Sequence, residues 1–224
     1  MRHAHGWSGS LALATALAGS LSAAQAPAPG DVALVPLVGL WRTGVDGGRT
    51  TITIDGTAPP KPDEAGATRV FGGGAAPFVA VMSAPGVFPL AAAPSLGVVD
   101  GGRLSVEFKL IAGATDQTAG VAFNIRPDGT YQYARYNTKD GNVAVWKFEN
   151  GARTVLAHGE AHEGLAFGVW HRLSVTIAGR AVEAVVNDRL KVFHTLDRDV
   201  RGHVGLWTKA DSVTAFRAYA HRPR

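Results

Sequence analysis

The clearest pattern in the chain is alternation. Between residues 103 and 111, Leu104, Val106, Phe108 and Leu110 fall on one side of an extended backbone and Ser105, Glu107 and Lys109 on the other. A period of two marks a half-buried strand. Similar stretches follow over residues 120–125, 130–137, 142–148, 170–177, 181–186, 203–208 and 213–220. Turn-forming residues separate several of them: Pro127-Asp128-Gly129, Asp140-Gly141 and Asn187-Asp188. The strongest hairpin signal is Asn150-Gly151, because both residues accept the positive φ of a type I′ turn. No segment holds a helical period beyond a turn or two. Many short strands at spacings of roughly 8–12 residues predict an all-β sandwich or barrel.

The N-terminal third is less regular. Residues 34–41 and 50–55 read as strands, the second ending at Asp55-Gly56. Residues 58–68 carry Pro59, Pro60 and Pro62 and read as a loop, since proline is excluded from central strands. Gly72-Gly73-Gly74 reads as a flexible turn, because it lacks the strand–helix setting and the Lys-Ser/Thr of a phosphate loop. Residues 77–82 read as another apolar strand.

At the start of the chain, Arg2, His3 and His5 precede an apolar run over residues 11–24, and Ala24-Gln25-Ala26 offers the small-x-small site of signal peptidase. The expectation is a cleaved signal peptide over residues 1–26 and a secreted or periplasmic product. The apolar run is too short to anchor in a bilayer, and no later segment is long enough to try, so no membrane span is expected. Residues 27–224 then suffice for a single sandwich domain, most clearly patterned over 103–220. With no cysteine, such an exported fold rests on apolar burial and sheet hydrogen bonds rather than disulfides. Lys and Arg number 22 against 18 Asp and Glu, and they are spread along the chain. Nucleic acid calls for a focused basic patch, so it is not an expected partner.

Three rows carry candidate chemistry. Tyr131, Tyr133, Arg135 and Asn137 share one face of their strand; Asn142, Ala144, Trp146 and Phe148 share a face of the next. Trp207 and Lys209 share a face near the C-terminus, with Asp211 just beyond. Aromatic rings stack on the C–H faces of sugars, while Arg, Asn and Asp hydrogen-bond hydroxyls. Tyr and Trp in a sandwich also serve as core, but Arg135 and Asn137 on the same row argue against a row that is simply buried.

Further segments carry a family likeness. Phe108-Lys109-Leu110-Ile111-Ala112-Gly113, Asp116-Gln117 and Ala119-Gly120-Val121 lead into Tyr131, Arg135-Tyr136-Asn137, Asn142 and Glu149-Asn150-Gly151. Trp170-His171-Arg172-Leu173 and the run from Gly205 through Trp207-Thr208-Lys209-Ala210-Asp211-Ser212 to Thr214 complete the set. Together they resemble the concanavalin A-like (LamG-like) jelly-roll domain of exported bacterial proteins, grouped with glycoside hydrolase family 16-like and 3-keto-disaccharide hydrolase-like domains. No landmark of this kind precedes Arg103. The resemblance implies a two-sheet jelly roll whose concave sheet binds glycan, and it does not by itself imply catalysis. The candidate ligand-binding residues are Asp116, Tyr131, Tyr133, Arg135, Asn137, Asn142, Trp207, Lys209 and Asp211.

Two departures from that family bear on function. Where its members place acidic residues after the Phe, this chain has Phe216-Arg217-Ala218. The Glu-x-Asp-x-x-Glu strand of retaining β-glucanases is also missing. Asp197, Asp199, Glu160 and Glu163 read as solvated charge, whereas Glu107 with Asp116 would make an acid/base pair only if the fold joined them. His158, His162 and His171 lack the helix of a zinc His-x-x-x-His pair, and Ser212 lacks a nucleophile elbow. No cofactor or catalytic metal is expected; a structural calcium held by Asp116, Asp211 and backbone carbonyls is a minor alternative. Three readings remain. A carbohydrate-binding domain leads, a hydrolase of the same fold is the rival, and a structural or adhesive domain without a sugar site is the third.

Overall fold

The computed structural model describes residues 32–224, so the expected signal peptide lies outside the described residues. Alternation has become two antiparallel seven-stranded sheets. The first contains β1 (Val35–Val38), β4 (Leu90–Ala92), β13 (His203–Trp207), β6 (Thr118–Ile125), β7 (Tyr131–Asn137), β8 (Asn142–Glu149) and β9 (Ala152–His158), in that spatial order. The second runs β12 (Leu190–Thr195), β11 (Ala181–Val186), β10 (Trp170–Ala178), β5 (Gly101–Ala112), β14 (Val213–Arg222), β3 (Arg49–Asp55) and β2 (Leu40–Asp46). The alternating apolar residues meet between the sheets. Leu104, Val106, Phe108 and Leu110 of β5 pack with Val121 and Phe123 of β6, Tyr136 of β7 and Val143 and Val145 of β8. Asn150 and Gly151 take φ of 53° and 75°, so the β8–β9 hairpin turns where the sequence said it would.

Four local readings are corrected. The expected strand over 34–41 is two strands in different sheets, β1 and β2, broken at Gly39. Gly39 has φ +89°, and a Cβ there would stand 3.0 Å from Pro89 Cβ, so the kink that hands the chain across needs glycine. Residues 58–68 are not all loop, because helix α1 (Glu64–Phe71) starts inside them, its first turn capped by Asp63, which accepts from Gly66 N–H at 2.8 Å. The strand expected over 77–82 is helix α2 (Ala75–Met82), with Ala75, Phe78 and Met82 on its buried face. Pro77 sits in the first turn, where no intrahelical N–H is needed. The triple glycine is a single 3-10 turn linking the two helices. Strands β4, β9 and β12 had no counterpart in the sequence reading.

The helices matter because of where they lie. They cover part of the outer face of the first sheet, the face turned away from the second sheet. Phe78, Met82 and Ala67 close over Tyr131, Tyr133, Phe148 and Trp207 in a second apolar core. Phe71 packs against Phe78 at 4.9 Å between ring centres, the rings tilted by 42°. The first sheet is therefore buried on both faces at this end.

Candidate functional site

The three rows singled out in the sequence do come together. Strand register pairs Tyr131 with Phe148, Tyr133 with Trp146, Arg135 with Ala144 and Asn137 with Asn142, and Trp207 stacks on Tyr133 at 3.9 Å. All lie on the outer face of the first sheet. That face is divided in two, one half closed by the helices and the other open.

Under the helices lie Tyr131, Tyr133 and Trp207, each fully buried. Tyr131 stacks on Phe148 at 5.0 Å, and Phe88 packs on Trp207 at 5.4 Å. Burial pushes both tyrosine hydroxyls well above their ordinary range; at Tyr133 the nearby Arg153 charge partly offsets this. These three rings serve as packing, and a ligand reaches them only if the helices move.

Beyond the helices the same face falls into a polar recess of about 460 Å³. Arg135, Asn137, Asp140 and Asn142 form one wall, while Trp146, Arg153, His158 and Lys209 form the rest. Arg135 is only 5% exposed. Its guanidinium donates to Asp140 Oδ2 at 2.8 Å and to Asn142 Oδ1 at 2.9 Å. Desolvation pulls its pKa below the usual arginine range, and the Asp140 charge opposes that shift. Asn137 Nδ2 donates to Asp116 Oδ1 at 3.0 Å and to Asp140 Oδ2 at 3.1 Å. Lys209 Nζ meets Asp116 Oδ2 at 2.6 Å. Arg135, Asn137, Asn142, Asp116 and Lys209 thus belong to one hydrogen-bonded network around the β7–β8 turn.

A buried knot of hydroxyls places Lys209. Thr208 and Thr214 both donate to the Thr118 carbonyl, at 3.0 and 2.8 Å, and Thr118 Oγ1 accepts from Lys209 N–H at 2.9 Å. Ser212 belongs to this knot, its Oγ accepting from Thr118 N–H at 3.1 Å, which gives it a structural task. Asp211 does not reach the recess. Its carboxylate accepts from the backbone N–H groups of Ala114, Thr115 and Asp116, and these bonds lower its pKa to about 2. Every carboxylate oxygen of Asp116 and Asp211 is thus engaged by a protein donor. Among the described residues no group of three or more His, Asp or Glu side chains is placed to hold a metal ion. His171 bonds the Ala166 carbonyl and Asn187, anchoring a loop. Glu107 pairs with Arg217 and Arg49 on the outer face of the second sheet and is not joined to Asp116.

Sequence reasoning left Asp140, Trp146, Arg153 and His158 out of the site. Trp146 was visible on its row. Its ring is parallel to Tyr133 within 7°, with the Arg153 guanidinium 4.9 Å and the Arg135 guanidinium 5.8 Å from its centre. Arg153 and His158 sit on β9, an edge strand with no fully buried residue, so its sequence shows no alternation to find.

No family model matches the chain, and no curated protein sequence matches it either. Solved structures do. A carbohydrate-binding module, CBM66 from Bacillus subtilis, superposes with a TM-score of 0.61 over 85% of this chain and 95% of that chain, at 15% sequence identity. A Bacillus subtilis protein of unknown function with a galectin-like fold gives a TM-score of 0.51 over 85% of this chain and 90% of that one, at 10% identity. At such identities the likeness lies in the fold, which with the strand order above is a two-sheet jelly-roll sandwich.

Proposed function

We propose that this protein binds carbohydrate in the polar recess of the first sheet and acts as an exported recognition domain. The observation that carries the reading is the recess itself: a half-exposed indole, Trp146, set among fixed polar groups on a jelly-roll sheet face. An aromatic floor with a few oriented hydrogen-bonding groups suits a sugar, whose faces are apolar and whose rim is polar. The fold of the CBM66 module supports the same reading.

One observation favours the hydrolase reading. Asn137 Nδ2 donates to both Asp116 and Asp140, at 3.0 and 3.1 Å, and so brings two carboxylates together beside the recess, as a glycosidase pair requires. Both carboxylates, however, already serve as ion-pair partners, and Asp116 is 5% exposed. The pair therefore offers a substrate no free acid and free base, and binding remains the better account.

A glycan array probed with the purified chain tests the proposal. A hit should bind the wild type in solution, and Trp146→Ala should weaken it at least tenfold while the β-sheet circular dichroism persists. Equal affinity in a folded Trp146→Ala variant would move the site elsewhere, and release of shortened sugar from a hit would replace binding with hydrolysis. Export is supported by the Ala24-Gln25-Ala26 site that follows the apolar run over residues 11–24. Expressed with its own leader in a bacterium, the protein should be found outside the cytoplasm beginning at Pro27; an intact chain confined to the cytosol refutes export.

A further inference from the structure

The hydrogen-bonding groups around the recess are unevenly used. Its acceptors are largely committed: Asp140 Oδ2 takes Arg135 and Asn137, Asn142 Oδ1 takes Arg135, and both oxygens of Asp116 are engaged. What stands idle is mostly donors and positive charge. Trp146 Nε1 is buried without a hydrogen-bond partner. Among the described residues Arg153 joins no ion pair, although Arg135 and Lys209 each have a carboxylate. The Arg153 guanidinium rests instead on two rings, 4.9 Å from Trp146 and 5.3 Å from Phe88.

A neutral sugar brings hydroxyls that need acceptors as well as donors. This recess has one acceptor oxygen free on a carboxylate, Asp140 Oδ1, and a surplus of donors with an unpaired cation. A ligand rich in acceptors and carrying negative charge complements it better. The Arg153 guanidinium carbon lies 4.9 Å from the centre of the Trp146 ring, and a guanidinium without a carboxylate partner suits a bidentate pair with a ligand carboxylate.

We propose that the recess is specific for an acidic sugar, a uronic acid residue whose carboxylate pairs with Arg153 and whose neighbouring hydroxyl donates to Asp140. This deepens the carbohydrate reading and rests on it. His158, exposed beside Trp146 at 5.9 Å between ring centres, adds a hydrogen-bonding imidazole at the same rim.

The test uses the full chain and oligosaccharides of galacturonate, glucuronate and mannuronate, each paired with its neutral methyl ester. Esterification removes the charge and leaves the sugar frame. Isothermal titration should show at least one acid bound tenfold or more tightly than its ester, with the difference shrinking as salt rises from 50 to roughly 300 mM. Arg153→Gln should bring the acid-to-ester ratio close to one. Arg153 is exposed, so a thermal melt should match the wild type and certify the fold. Acids and esters bound equally, or neutral sugars bound alone, would overturn the acidic preference and leave carbohydrate binding intact. No binding of any sugar, here or on the array, would overturn both. An acid preference that survives Arg153→Gln would overturn the role of Arg153.

Discussion

At the scale of single residues, the most telling side chains are those that hold others in place. Arg135 and Asn137 looked like ligand contacts because a charged and an amide group on an aromatic row should not be buried without partners. The premise was right, and the partners are internal: Asp140, Asn142 and Asp116. Asp211 is a purer case. Its carboxylate gathers three consecutive amides of the loop before β6 and so ties the C-terminal turn to that loop. Asp211→Ala should lower the thermal midpoint at neutral pH by about 5 °C. Because hydrogen bonding depresses the folded pKa to about 2, the contribution is present above the ordinary carboxylate value. It is lost as pH falls through the folded value. Melts of wild type and variant should therefore converge between about pH 4 and pH 2; a constant gap across that range would assign the effect to something other than the charge.

At the scale of elements, the helical pair α1–α2 decides how much of the outer face is free. A helix docks this closely only where its contact residue is small. A Cβ on Gly66 would lie 1.9 Å from the Pro36 carbonyl oxygen, so glycine is what lets α1 sit against β1. Helix propensity alone says that Gly66→Ala should stabilise the chain by about 1 kcal/mol. The clash involves backbone, which cannot swing aside, so the net effect should be a loss of roughly 1–3 kcal/mol. Chemical denaturation measures it. A more stable Gly66→Ala variant would mean that α1 is less tightly held than its contacts imply. The same variant should raise the accessibility of Trp207, fully buried in the wild type, to a fluorescence quencher.

At the scale of the molecule, the first sheet belongs to two cores at once. Its inner face packs Val121, Phe123, Tyr136 and Val145 against the second sheet. Its outer face packs Tyr131, Tyr133 and Trp207 beneath the helices. Neither core can be lost without stripping one face of a sheet the other needs, so unfolding should be a single cooperative event. Tryptophan fluorescence and far-UV circular dichroism should give coincident denaturant curves. Separate midpoints would show that the helical cover leaves first and would make it a removable lid.

The sequence by itself determined the sandwich. Period-two burial and turn chemistry are local, so β5 to β8, β10, β11, β13 and β14 and the Asn150-Gly151 hairpin could be read without knowing any partner. It also determined that three rows of polar and aromatic residues share a face, because side-chain alternation follows from the backbone alone. The tertiary structure decided what covers that face. The apolar run from Ala75 to Met82 is short enough to suit strand or helix, and only the surface it packs on made it a helix. Once there, it turned Tyr131, Tyr133 and Trp207 into core and left Trp146 and Arg153 at the opening. Whether a side chain is packing or contact surface depends on what lies over it, and that is fixed by residues far away in the chain.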